Sequence, residues 1–144
     1  MTPDALFQIA NPVAMLGWLT LAFSPVAPKA VLSVATVVVP LLLSTAYTAI
    51  VLAYWQSGEG GFDSLSNVAA LFQNRWLLLA GWVHYLAFDL LMGAWQADTA
   101  RREAIAHWLL LPCLGLTFMF GPAGYLLFQS VRLSLRAQTA SAKV

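Results

Sequence analysis

Charge is scarce in this chain: Asp, Glu, Lys and Arg make up 9% of its 144 residues, against 60% hydrophobic residues. With a mean hydropathy of +0.76, that balance argues against a water-soluble domain and for an integral membrane protein. Cysteine is scarcer still. Cys113 stands alone in an apolar run, which rules out an intrachain disulfide and makes it a small buried side chain. No basic block is long enough to track a phosphate backbone, and the net charge is +1, so nucleic acid is set aside as a partner. The sequence carries no Gly-rich phosphate loop, nucleophile elbow or paired-cysteine motif. Its two histidines and single intramembrane carboxylate fall short of the histidine clusters of membrane di-iron enzymes. We therefore expect neither a metal nor a cofactor.

Long apolar runs are what the chain does have. At about 20 apolar residues per crossing, its length holds four helices and little else. The expected fold is an all-α integral membrane bundle of four transmembrane helices, one domain over residues 1–144. The first span runs from about Ala5 to Phe23 and stops at the prolines of Ser24-Pro25-Val26-Ala27-Pro28-Lys29. No basic segment precedes it, so it is read as a retained anchor and not a signal peptide. The second runs from Ala30 to about Trp55, with Pro40 freeing a carbonyl that Ser44, Thr45 or Thr48 would satisfy. After the polar loop from Gln56 to Asp63, the spacing of Leu65, Val68, Ala69, Leu71 and Phe72 predicts a short interfacial helix over Ser64 to Gln73. The third span is Trp76 to Gln96. The fourth stretch, Ala104 to Leu133, is interrupted by Pro112 and Gly121-Pro122-Ala123-Gly124 and, being too long for one straight crossing, reads as a kinked or broken helix rather than two spans. Four crossings put both termini on one side. Arg75, Arg132, Arg136 and Lys143 against Lys29, Arg101 and Arg102 favour the cytoplasm for that side.

Polar groups inside such runs carry the functional signal. Asp89 lies in the third span, where a carboxylate costs about 2.5–3.5 kcal/mol on insertion scales, so it faces a partner or performs chemistry. A rise of about 1.5 Å per residue places His84 and Asn11 in one layer with Ser44 and Thr45, and Asp89 with His107 in a second. His84 and Asp89 point about 140° apart on their helix and do not form a dyad. Tyr85, four residues before Asp89, and Gln96, seven after it, share its face. A bis-histidine haem is disfavoured, since His84 and His107 differ in depth by about 12 Å. Each polar group also has a structural reading, as interhelical hydrogen bonding or, for Arg101 and Arg102, as an orientation signal that equally suits an anionic head group.

The pattern Leu65-Ser66-Asn67-Val68-Ala69-Ala70-Leu71-Phe72, Trp82-Val83-His84, Asp89-Leu90, Arg102, His107 and Pro112-Cys113 through Gly121-Pro122-Ala123-Gly124, with Ile9-Ala10-Asn11 upstream, resembles the abscisic-acid-deficiency (neoxanthin-synthesis) membrane protein family. The resemblance covers nearly the whole chain and implies a short bacterial member, placed in the inner membrane. Plant members of that family are required to convert the epoxycarotenoid violaxanthin to allenic neoxanthin. It implies a cofactor-independent, redox-neutral isomerase of an apolar carotenoid-like ligand, with Asp89, His84 and His107 as acid–base groups and Asn11, Trp82, Tyr85 and Arg102 along the substrate. Two rival readings stay open: a non-catalytic polyene-binding or assembly subunit, and a proton or small-ion transporter, which four short spans would support only as a homo-oligomer.

Overall fold

The structure, a computed structural model, describes residues 1–26 and 32–141. The expected start of the second span at Ala30, and Lys29 and Lys143 of the charge count, lie outside them. Helix α1, Pro3–Ala22, starts where Thr2 accepts the Ala5 amide and Pro3 opens the first turn. Helix α2 spans Val34–Ser57. It opens with a π-helical segment, Val34–Val38, continues as α-helix through Val39–Tyr54 and ends in a 3-10 turn, Trp55–Ser57. Pro40, which cannot donate to Thr36, sits just past the π segment. Two of the hydroxyls expected to satisfy the freed carbonyl are engaged elsewhere: Thr45 donates to Leu41 and Thr48 to Ser44, each one turn back on its own helix.

Helix α3, Leu65–Leu71, is capped by Ser64, and helix α4, Arg75–Arg102, by Asn74. Asn74 also donates to the carbonyl and hydroxyl of Ser57, which ties the α2–α4 connection together. The first three long helices, α1, α2 and α4, are each long and apolar enough to cross a membrane. Helix α4 is the hub and packs against every other long helix. It runs parallel to α1, with Asp4 paired to Arg75 at one end and Trp18 and Leu21 seated on Gly93 farther along. It runs antiparallel to α2, where Tyr54 stacks on Trp76 at a centroid distance of 4.2 Å. Small residues permit these close approaches, as bundles in lipid require.

The fourth apolar stretch is broken at Gly121-Pro122, one of the two expected points of interruption, into α5 (His107–Phe120) and α6 (Pro122–Ser141); what the sequence did not show is that the two halves fold back on each other there. As one helix, residues 107 to 132 would span about 37 Å. Instead Arg132 and Arg136 both reach Glu103, immediately after α4. Thr117 and Gly124 touch across the hairpin so closely that a Cβ at Gly124 would overlap the Thr117 backbone. Between α4 and α5, Gln96 and Thr117 exchange hydrogen bonds at 2.9 and 3.1 Å with neither side chain exposed. Pro112 leaves α5 uninterrupted. At about 21 Å, α5 is too short to cross a bilayer, so the hairpin enters the bundle from the Arg102 end and returns to it. The described chain therefore begins at one end of the bundle and finishes at the other, against the expectation of termini on one side.

Two local features hold the base of the hairpin. The α4 terminus is a Schellman turn: Ile105 donates to Ala100 and Ala104 to Arg101. Its left-handed position is occupied by Ala104, with φ of 53°. Replacing Ala104 with glycine should raise stability by about 1 kcal/mol, read from the denaturation midpoint in detergent; a lower midpoint would contradict that assignment. Glu103 receives bidentate bonds from Arg132 and further bonds from Arg136, which hold its carboxyl well below the usual 4.5, at about 2. Because the folded value is the lower one, this cluster contributes fully above pH 4.5 and its contribution disappears as pH falls toward 2. The stability gap between wild type and Glu103→Gln should close across that window, as followed by tryptophan fluorescence. A gap independent of pH would refute it.

Candidate functional site

The hairpin tip is built by one residue that can turn and one that cannot donate. Gly121 has φ 34° and ψ −88°, a backbone state that side-chain-bearing residues rarely adopt. Pro122 lacks the amide that would bond Phe118 one turn back. The freed carbonyls are taken by Tyr85 of α4, whose hydroxyl donates to Phe118 at 3.2 Å and Met119 at 3.0 Å. Asp89, one turn farther along the same face, meets the tip directly. A Cβ placed on Gly121 would lie 2.5 Å from Asp89 Oδ1. Asp89 Oδ2 is buried and has no hydrogen-bond partner among the described residues, with the Tyr85 hydroxyl beside the carboxyl. An unpaired buried carboxylate oxygen costs free energy that a proton, a water or a ligand offsets.

Beyond the tip toward the Arg75 end, none of the hairpin contacts with α4 continues among the described residues. Leu78, Trp82, Tyr85 and Asp89 recur at steps of four, three and four residues and so share one stripe. Leu78 is 53% exposed and Trp82 39%, while Tyr85 and Asp89 are partly covered. The stripe is flanked by α1. Phe7 packs on the Trp82 ring, and the indole N–H donates to Asn11 Oδ1 at 2.8 Å. Asn11 in turn donates to the Phe7 carbonyl, and Trp82 packs on Tyr85. The result is a lateral aromatic groove ending in a carboxyl at mid-helix, open along its side and about 16 Å long from Leu78 to Asp89.

The structure sorts the expected site residues accordingly. Asp89, Tyr85, Trp82 and Asn11 fall together on this groove. The histidines do not join them. His84 is exposed on another face of α4, stacked on Phe88 at 4.5 Å and tilted against Tyr47 at 5.5 Å. Asn11 meets α4 near the depth of His84, as expected, but its partner there is Trp82 and not the imidazole. His107 is at the base of the hairpin, where its Nε2–H donates to the Ala22 carbonyl at 2.8 Å. About 20 Å of helix separates Asp89 from that end, so the Asp89–His107 layer is not formed. Arg102 is at the same far end, paired with Asp98 at 2.7 Å. The roles of Gly121 and of the Phe118 and Met119 carbonyls escaped the sequence reading. The signal was Gly-Pro placed fourteen residues after His107, the same helical distance as Asp89 from Glu103. Among the described residues no group of three or more His, Cys, Asp or Glu is placed to share a metal ion.

Neither a curated protein nor a solved structure matches the chain. One family pattern does, ABA4-like (ABA DEFICIENT 4-like), and it covers residues 5–128, which take in α1 through the Phe128 turn of α6 and so the whole of the groove and the hairpin tip. By that match this chain belongs to the ABA4-like family.

Proposed function

We propose that this protein is a membrane-embedded, redox-neutral isomerase of an epoxycarotenoid-like lipid, with Asp89 as its acid–base group. The observation that carries the reading is the unpaired Oδ2 of Asp89 at the end of an aromatic groove that opens sideways. Two findings support it: the family concerns carotenoid- and abscisic-acid-related membrane proteins, and three apolar helices are compatible with membrane integration. A long apolar ligand enters from the side and lies along Trp82 and Leu78, its polar oxygen at the carboxyl. Protonated Asp89 gives its proton to the epoxide oxygen as the C–O bond breaks. The resulting carboxylate removes a proton from the adjoining polyene carbon, whose C–H electron pair forms the new double bond of the allene. The substrate gains one proton and loses one, so no electron carrier is consumed. Tyr85 is a positioning residue that fixes the broken helix over the carboxyl, and the histidines take no part.

Asp89→Asn keeps volume and removes the transferable proton. With violaxanthin as substrate and product resolved by chromatography, turnover should fall at least about 100-fold while folded yield stays near wild type. Full activity in well-folded Asp89→Asn protein would remove the mechanism and leave the non-catalytic polyene-binding reading. Tyr85→Phe strips the Phe118 and Met119 carbonyls of their donor. It should cost about 1 kcal/mol of stability and lower kcat more than it changes KM; unchanged kcat would deny Tyr85 its role.

A further inference from the structure

A second candidate site lies toward the Arg102 end of the bundle, on the far side of Asp89 from the aromatic stripe. A cavity of about 850 Å³ opens there between the end of α1, the start of α2 and the α4–α5 turn. Its volume is within the range of small-molecule pockets. Leu21, Ala94 and Leu110 give it an apolar floor, whereas Asp98, Arg101 and His107 stand at its polar side. The charges there do not balance. Asp98 is fully engaged, one oxygen by Arg101 and the other by Arg102, each at 2.7 Å. Two guanidiniums thus share one carboxylate, and each keeps unused N–H donors in its fixed fork. The nearest other acid, Glu103, is consumed by Arg132 and Arg136. What remains at this rim, among the described residues, is one net positive charge from Asp98, Arg101 and Arg102, with spare donors above an apolar floor.

From this juxtaposition we propose that the cavity binds the phosphate head group of an acidic amphiphile, with Arg101 as its principal ligand and the apolar chain resting on the alanine and leucine floor. Guanidinium is suited to phosphate by its planar, bidentate geometry. The apolar floor is what favours an amphiphile over free phosphate. Its placement where the helices end matches the depth at which head groups sit if α1, α2 and α4 cross a bilayer.

Native mass spectrometry of the protein in maltoside micelles tests this with dodecyl phosphate as probe and inorganic phosphate as comparison. One saturable dodecyl phosphate should bind, and inorganic phosphate should not at the same concentration. Arg101→Gln should weaken binding about tenfold, whereas Arg75→Gln at the other end leaves it unchanged. Ala97→Phe, which fills the cavity without touching charge, should abolish it. Undiminished affinity in both Arg101→Gln and Ala97→Phe, or no saturable binding by wild type, overturns the proposal. Inorganic phosphate binding as tightly as dodecyl phosphate also overturns it, and assigns the cavity to the free anion.

Discussion

The reversal at Gly121-Pro122 is the constraint on which the rest depends. A glycine in a left-handed region and a proline without an amide end α5 in the middle of the bundle, where backbone polar groups need partners inside the protein. Tyr85 supplies one partner for the carbonyl side. The same break brings the chain against Asp89, because only a residue without a side chain can lie there. Fold and candidate chemistry therefore meet at one point: what stops the helix also shapes the ceiling over the carboxyl.

The hairpin is secured at both ends by different physics. At the base, Glu103 with Arg132 and Arg136 forms a charged clamp near the end of α4, where ionised groups remain hydrated enough to be tolerated. Midway, the buried Gln96–Thr117 exchange sets the register of α5 on α4, and the Thr117 hydroxyl also reaches the Cys113 carbonyl one turn back at 2.8 Å. Trp95 then packs edge-on against Phe128, which carries α6 onto the same face. Because the hairpin stops halfway along α4, the remaining half of that face is left to the aromatic stripe. A single crossing helix in its place would have covered the groove.

The long helices were legible because apolar run length is a direct physical requirement of lipid: the first span, expected over Ala5 to Phe23, is Pro3–Ala22, and the short helix expected over Ser64 to Gln73 is Leu65–Leu71. Helix α4 extends beyond the expected Gln96 to Arg102, since Asp98 with Arg101 and Arg102 forms ion pairs within the helix that solvate its last turns. Asp89 and its helical neighbour Tyr85 were legible from cost and spacing. The hairpin was not. Thirty apolar residues look alike whether they run on or double back, and the deciding contacts join Glu103 to Arg132 and Gln96 to Thr117, pairs distant in sequence. The expected Asp89–His107 layer is absent for another reason: α4 runs on to Arg102, six residues past the expected Gln96, so His107 begins about 20 Å of helix away from Asp89.

A distance measured across the hairpin tests the account most directly. With Cys113 replaced by serine and spin labels at Ala106 and Ser130, pulsed electron resonance in a lipid bilayer reports the separation of two positions flanking the turn. The folded-back arrangement predicts a separation below about 20 Å, close to the lateral spacing of packed helices plus the label arms. A separation near 36 Å, the rise of one continuous helix over those residues, would contradict the hairpin and with it the placement of its tip on Asp89.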